Sequence, residues 1–307
     1  AIVYKMIRPP LLKPLDKAVI VSPAGKIDED IIDKTAVILR EWGLTVEVGE
    51  NALYSVGHFS GSIEQRLSDL QKAMDDSKIK LIFCSRGGYG MVHLLDKLSF
   101  EGMIQNPKWV VGYSDITALH AALQSNGIIS LHAPMAKHFA DEGGSDKAVM
   151  YTKTVLTKGR INYEISAAEY SYLNRQGKAS GQLFGGNLSV FCGILGSKYA
   201  VIPRNGILII EDIGDEPYRV DRMIYQLKLA RVFDRIKGLI VGCFTDYVED
   251  KEMYKPLYES IMAAVSEYTF PVCFGFPVGH VKDNYPVLMG ADAVLTVKND
   301  RIFFTQE

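Results

Sequence analysis

Lys108-Trp-Val-Val-Gly-Tyr-Ser-Asp-Ile-Thr-Ala-Leu-His120 reads as a short apolar strand that passes through one serine directly into a helix. Trp109, Val110 and Val111 have the bulk and branching of a buried strand, whereas Ile116, Leu119, Ala122 and Leu123 recur at helical spacing. Ser114 stands at the junction. A hydroxyl on a tight strand-to-helix turn projects away from the sheet, and the first N–H groups of the helix face any oxyanion formed beside it. That arrangement suits an acyl-transfer nucleophile. It equally suits a helix cap, the commoner duty of a serine before a periodic segment. The local string is Gly112-Tyr-Ser-Asp115 rather than Gly-x-Ser-x-Gly, so this stretch alone leaves both readings open.

On the amino side, strands and helices alternate with short links. Lys17 to Ser22 is a strand, Ser22-Pro-Ala-Gly25 a loop and Asp28 to Trp42 a helix. Leu44 to Val48 is a second strand, Ser62 to Met74 a second helix, and Lys80 to Cys84 a third strand. Ser85-Arg-Gly-Gly-Tyr-Gly90 then precedes a helix carrying Val92, Leu94 and Leu95, and Ile128 to Leu131 supplies a fifth strand. Such alternation predicts a mostly parallel sheet covered on both faces. Ligands of such sheets collect at the carboxyl ends of the strands. The loops Ser22 to Lys26, Ser85 to Gly90 and Gly112 to Asp115 therefore converge there.

On the carboxyl side the pattern changes. A chain of 307 residues accommodates two domains, and the expected division is an N-terminal nucleophile-bearing α/β domain over 1–145, a connection over 146–176 and a C-terminal α/β domain over 177–307. Within the connection, Lys147 to Leu156 looks helical and Ile161 to Ile165 extended. Gly181 to Gly186 reads as a glycine turn before the helix Asn187 to Leu195. Gly206-Ile-Leu-Ile-Ile210 is a wholly apolar strand that stops at Glu211-Asp212. Tyr218 to Ile236 is a long amphipathic helix, Gly238 to Phe244 a buried strand, and Tyr254 to Tyr268 a helix. Pro271 to Phe276 is a strand leading to Pro277-Val-Gly-His280, and Val287 to Phe304 a hairpin turning at Lys298-Asn-Asp300.

Composition removes several classes of function. Hydrophobic residues are 48% and charged residues 23% of the chain, the balance of a globular protein. No apolar run reaches membrane-span length, and the start, Ala1 to Pro10, lacks a leader's apolar stretch, so the expected location is cytoplasmic with no membrane partner. A net charge of −2 provides no attraction for nucleic acid. Cys84, Cys192, Cys243 and Cys273 lie far apart in apolar surroundings without metal-ligand spacing, and read as reduced core residues.

A nucleophilic serine needs a base within hydrogen-bond reach and a third group to orient that base. Of the six histidines, His93 and His120 fall in helices as partly buried surface residues, and His132 follows the fifth strand. His280 is distinctive, because it follows an apolar strand in a glycine-bearing loop, where side chains point into clefts. Glu211 follows four apolar residues, where a carboxylate is costly to bury unless it is paired.

Six phrases occur in order: Ser85-Arg-Gly-Gly-Tyr-Gly90, Asn106-Pro-Lys108, Gly112-Tyr-Ser-Asp-Ile-Thr-Ala-Leu-His120, Gly185-Gly-Asn-Leu-Ser189, Glu211-Asp212 and Gly275-Phe-Pro-Val-Gly-His280. Together they resemble the serine LD-carboxypeptidases, or muramoyltetrapeptide carboxypeptidases, a family that also includes microcin self-immunity hydrolases. The resemblance covers about residues 17–290. It implies a flavodoxin- or Rossmann-like N-terminal domain, a smaller C-terminal α/β domain and an active site in the cleft between them. By motif, it makes Ser114 the nucleophile, Glu211 the orienting acid and His280 the base. The implied substrate is the amide between an L-centre, diaminopimelate or lysine, and the terminal D-alanine of a murein tetrapeptide, in cell-wall recycling. No metal or organic cofactor is implied, and a homodimer is.

In that setting the backbone N–H groups of Gly88 and Asp115 are the expected oxyanion hole. Arg86 is the candidate for the substrate carboxylate, with a structural ion pair bracing the glycine loop as the alternative. Tyr89, Asn187 and Tyr218 are candidates for the cleft wall. Two other readings stand beside this one. A microcin-type hydrolase cleaving peptidyl or aminoacyl nucleotides would carry a longer loop and an adenine-stacking aromatic, but the interval from Glu211 to His280 is compact and Trp42 belongs to an early helix. A non-catalytic two-lobed ligand-binding protein would share the architecture.

Overall fold

The computed structural model describes residues 5–166 and 169–307, so the first four residues of the start and residues 167–168 of the expected connection lie outside the described residues. The chain runs β1 (Lys17–Val21), α1 (Glu29–Glu41), β2 (Thr45–Val48), α2 (Ile63–Asp75), β3 (Ile79–Cys84), α3 (Glu101–Gln105), β4 (Trp109–Gly112), α4 (Thr117–Ser125), β5 (Ser130–His132), α5 (Ala136–Glu142) and α6 (Lys147–Lys158). It continues with β6 (Ile161–Ser166), β7 (Gly177–Asn187), α7 (Leu188–Ile194), β8 (Gly206–Ile213), α8 (Pro217–Leu229), β9 (Ile236–Thr245), α9 (Leu257–Ala264) and β10 (Val272–Cys273). It ends with β11 (Val287–Met289), β12 (Asp292–Val297) and β13 (Arg301–Gln306).

Two compact units result, each α/β. The first comprises residues up to Gly159 together with Tyr285–Gly290; the second comprises Arg160–Asn284 and Ala291–Glu307. Residues 146–176 are therefore not a separate connection. Helix α6 belongs to the first unit, where Leu12 N–H donates to Leu156 and the Arg8 guanidinium to Gly159, tying its last turn to the N-terminal segment. Strand β6 belongs to the second unit.

In the first unit the strand order is β2-β1-β3-β4-β5-β11. The first five are parallel, in the order of flavodoxin-type sheets, and β11 is added antiparallel to β5. The order reverses between β1 and β3, and the loops after these strands, beginning at Ser22 and Ser85, flank that point. Every residue of β4 is buried, as expected of a central parallel strand. Ile116, Leu119, Ala122 and Leu123 are all fully buried, and the rest of α4 from Thr117 to Gln124 is buried with them. Helix α2 starts on a capping box formed by Ser62 and Gln65.

The second unit holds a mixed sheet in the order β10-β9-β8-β7-β12-β13-β6, parallel from β7 to β10 and antiparallel elsewhere. Its core packs Val220, Ile224 and Leu227 of α8 on Leu208, Ile210, Leu239 and Val241. Gly181 to Gly186 forms no turn but the body of β7, because a Cβ on Gly181 would stand 2.1 Å from the Asn205 carbonyl and one on Gly185 2.3 Å from that of Ile209. These glycines permit close backbone approach. Helix α8 stops at Leu229 and the chain reverses through Arg231 in a left-handed conformation; Val232 and Phe233 prolong the apolar periodicity only because they are buried in that reversal. Similarly, the segment after Gly90 forms two short 3-10 turns rather than a helix.

Candidate active site

In the first unit the site is built on the end of β4. Gly112 has no room for a side chain, since a Cβ would stand 2.9 Å from Ile116, and this lets the next turn fold back over the strand end. Its carbonyl accepts a hydrogen bond from His120 Nε2 at 2.7 Å. A carbonyl only accepts, so Nε2 carries the proton and Nδ1 accepts from the Ser130 hydroxyl at 2.6 Å. Burial lowers the His120 pKa to about 4, keeping the ring neutral. His120 thus anchors the strand end, and it is a core residue rather than the partly exposed one expected; His132 is likewise buried.

Ser114 opens a 3-10 turn with φ of 63°, a left-handed conformation uncommon for a side-chain-bearing residue. The N-caps of that turn and of α4 are Tyr113 and Ile116, so Ser114 occupies neither cap position. Strain of this kind costs about 1–3 kcal/mol and persists where the surroundings over-determine it. The surroundings here are the glycine loop. A Cβ on Gly87 would lie 3.1 Å from Ser114 Cβ and 3.1 Å from Asp115 N.

The Gly87 carbonyl accepts from Gly25 N–H at 2.8 Å. In a trans peptide the following N–H points the opposite way, so the Gly88 N–H is aimed away from Gly25. Arg66 holds this loop from below. It is 2% exposed, and its guanidinium donates to the carbonyls of Pro23 and Gly90, each at 2.9 Å, and of Gly61 at 3.3 Å. The buried Asp115 carboxylate accepts from Met91 N–H at 2.8 Å. Burial raises its pKa to about 6, against the opposing effects of that hydrogen bond and of the Arg66 charge.

In the second unit Glu211 lies inside β8 rather than beyond its end, with zero exposure. Its Oε2 is 2.9 Å from His280 Nδ1, and its Oε1 accepts from Asn187 Nδ2 at 3.2 Å. Two glycines bring His280 there. Cys243 N–H donates to Val278, docking the Pro277–His280 loop on β9. A Cβ on Gly242 would stand 2.4 Å from the Val278 carbonyl, and one on Gly279, at φ 142°, 2.7 Å from that of Cys243. Asp212 is buried beside Glu211; burial, reinforced by the charges of Asp215 and Glu211, raises its pKa to about 7 despite N–H donors at Ile213 and Ser189.

The remaining expected residues fall as follows. Arg86 is exposed and, among the described residues, has no ion-pair partner in bracing the loop; its Nη1 donates to the Lys26 carbonyl at 2.6 Å. Tyr89 is 57% exposed and packs its ring against Phe59 and His93. Tyr218 is exposed beside Arg219 and Arg222. Asn187 is buried, its amide engaged with the two acids, so it does not form an open wall. Arg66 was not singled out from the sequence, although its spacing with Leu70 and Ala73 puts an arginine on the buried stripe of α2, which was a readable signal. All four cysteines are free thiols. Among the described residues no cluster of His, Cys, Asp and Glu is arranged to hold a metal, and no helix is long and apolar enough to cross a membrane.

Comparison with known proteins agrees over both units. Sequence models of the LD-carboxypeptidase N-terminal domain and C-terminal domain match residues 19–133 and 180–295. A Bacillus subtilis protein named a probable murein peptide carboxypeptidase is 31% identical over 301 residues, covering 94% of this chain and 91% of its own. The crystal structure of muramoyltetrapeptide carboxypeptidase from Oxalobacter formigenes superposes with a TM-score of 0.86 at 25% identity, covering 94% of this chain and 98% of that one. The microcin C7 self immunity protein MccF, in complex with aspartyl sulfamoyl adenosine, superposes with a TM-score of 0.87 at 23% identity, covering 98% and 99%.

Proposed function

This chain belongs to the LD-carboxypeptidase family, and on that premise we propose that it is a serine hydrolase in which Ser114, His280 and Glu211 act as nucleophile, base and orienting acid. The family supports hydrolysis in general; the triad and the substrate are our reading. The observation that carries it is the pairing of His280 Nδ1 with the wholly buried Glu211 at 2.9 Å. A carboxylate on Nδ1 keeps the proton on that nitrogen and leaves Nε2 with a lone pair, the form a general base requires.

In the proposed reaction Nε2 takes the proton of the Ser114 hydroxyl as Oγ attacks the carbonyl of the scissile amide. The N–H groups of Gly88 and Asp115 receive the oxyanion. Collapse of the tetrahedral intermediate breaks the C–N bond, the imidazolium protonates the departing amine, and an ester remains on Ser114. Water, deprotonated by Nε2, then cleaves the ester and restores the serine. Glu211 stabilises the imidazolium throughout. The substrate we assign is the amide between an L-centre and the terminal D-alanine of a murein tetrapeptide, in cell-wall recycling. The chemistry needs no cofactor.

The fold likeness to the microcin self-immunity protein keeps an aminoacyl nucleotide as the second substrate class. The experiment is to assay the purified protein on a murein tetrapeptide and on an aminoacyl adenylate analogue, with a fluorophosphonate as a covalent probe. Tetrapeptide turnover that disappears in Ser114→Ala, with labelling confined to Ser114, is expected. Turnover retained by Ser114→Ala overturns the nucleophile, preference for the nucleotide overturns the substrate, and binding without turnover or labelling favours a ligand-binding protein.

A further inference from the structure

Resting on the hydrolase reading of Glu211 and His280, we propose that Asn187 is a positioning residue that acts through Glu211, tethering Oε1 so that Oε2 is presented to His280 Nδ1. Asn187 and Glu211 are register partners in the parallel pairing of β7 with β8, so their side chains start from adjacent backbone positions. The orientation of the Asn187 amide follows from its neighbours. Its Oδ1 accepts from Val190 N–H at 3.1 Å and from the Ser189 hydroxyl at 2.9 Å. A backbone N–H can only donate, so the other end of the amide is the NH2 group, and it faces Glu211 Oε1 at 3.2 Å and Asp212 Oδ1 at 3.4 Å.

The consequence is mechanical. The terminal torsion of a glutamate is broad and roughly two-fold, so packing of the stem alone does not choose which oxygen meets the imidazole. A donor on Oε1, itself anchored to the first turn of α7, makes that choice. Asp212 is fixed to the same turn, its Oδ2 accepting from Ser189 N–H at 2.9 Å. One amide therefore stands between two adjacent acids and gives each a donor. The ionisable groups around Glu211 are Asp212, which also feels Asp215, then His280 and the Cys243 thiol. Among the described residues, Asn187 Nδ2 is the donor seen on Oε1.

A residue that only caps α7 would behave differently, and two substitutions separate the roles. Asn187→Ser keeps a good cap and shortens the donor out of reach of Oε1. Asn187→Asp keeps both shape and cap but turns the donor into an acceptor. On the full chain, the His280 ring is followed by 15N NMR and steady-state kinetics are measured on a murein tetrapeptide. Asn187→Ser is expected to lower kcat by about ten- to a hundredfold, with KM changed less than about twofold, and to weaken the Nδ1–H signal. Asn187→Asp is expected to lower kcat at least as far and to weaken the same Nδ1–H signal, because an acceptor then faces Oε1. Unchanged kcat and an unchanged ring signal in Asn187→Ser would reduce Asn187 to a helix cap. The ring measurement needs no substrate, so absence of turnover in the wild type would count against the hydrolase reading while leaving this test intact. Should Asn187→Ser fail to fold, the ring signal of the isosteric Asn187→Asp decides.

Discussion

Gly87 lies against Ser114 so closely that a methyl group added to it would stand 3.1 Å from Ser114 Cβ and 3.3 Å from its Oγ. Gly87 does not itself have a positive φ, so alanine enters without backbone strain and acts only by crowding the serine. Gly87→Ala is expected to fold with a stability loss of about 1 kcal/mol and to lower kcat by at least about tenfold. Thermal denaturation and tetrapeptide kinetics on the same preparation check this, and wild-type turnover would mean that the Ser114 rotamer is not set by this contact.

The left-handed φ of Ser114 makes a second, separable prediction. Ser114→Ala and Ser114→Gly both remove the hydroxyl and are expected to be inactive. Only glycine relieves the strain, so Ser114→Gly should be the more stable of the two by about 1 kcal/mol. Equal melting temperatures would show that the turn relaxes on substitution.

Asp115 predicts a pH dependence of stability. Its pKa rises from an ordinary 3.8 to about 6, chiefly through burial. A raised carboxyl pKa means that the folded state holds the proton more tightly, so this contribution is present below pH 4 and is lost as pH rises through about 6. The rise corresponds to roughly 3 kcal/mol at most. Asp115→Asn keeps an acceptor for Met91 N–H without a buried charge, so it should be more stable than wild type at pH 8, with the difference shrinking towards zero by pH 4. Urea titrations at the two pH values measure it; a constant difference would contradict the assignment.

Gly279 predicts the cost of misplacing His280. At φ 142°, with a Cβ position 2.7 Å from the Cys243 carbonyl, alanine must push the Pro277–His280 loop off β9. Gly279→Ala is expected to lose about a hundredfold in kcat and roughly 2 kcal/mol in stability. Retention of both would mean that the loop accommodates the methyl without moving the imidazole.

Much of the proposed site is legible in the sequence. The apolar run into Ser114, the carboxylate after four apolar residues at Glu211 and the glycine-flanked His280 each break a local pattern, and the proposed chemistry rests on these three breaks. The reading failed where burial reversed the meaning of a residue. Glycines at 181–186 look like a turn, yet they line a strand because a neighbouring carbonyl occupies the space where a side chain would go. Asn187 looks like an accessible polar residue, yet its amide is committed to Glu211 and Asp212. Arg66 shares the buried stripe of α2 with Leu70 and Ala73, yet only its partners show that it gathers three loop carbonyls beneath the glycine turn.

By itself, the sequence determined the alternation of strands and helices in the first unit, the strand-to-helix turn at Ser114 and the residue types on which the proposed chemistry calls. Apolar periodicity and glycine placement are local properties, complete within a dozen residues. Motif resemblance already coupled Glu211 with His280; tertiary structure set their contact across 69 positions of chain, and it alone decided that Asn187 takes the other oxygen and which loop carbonyls Arg66 gathers. A buried polar group is stable only with donors or acceptors brought from elsewhere in the chain, and which groups arrive is a property of packing that no local spacing encodes.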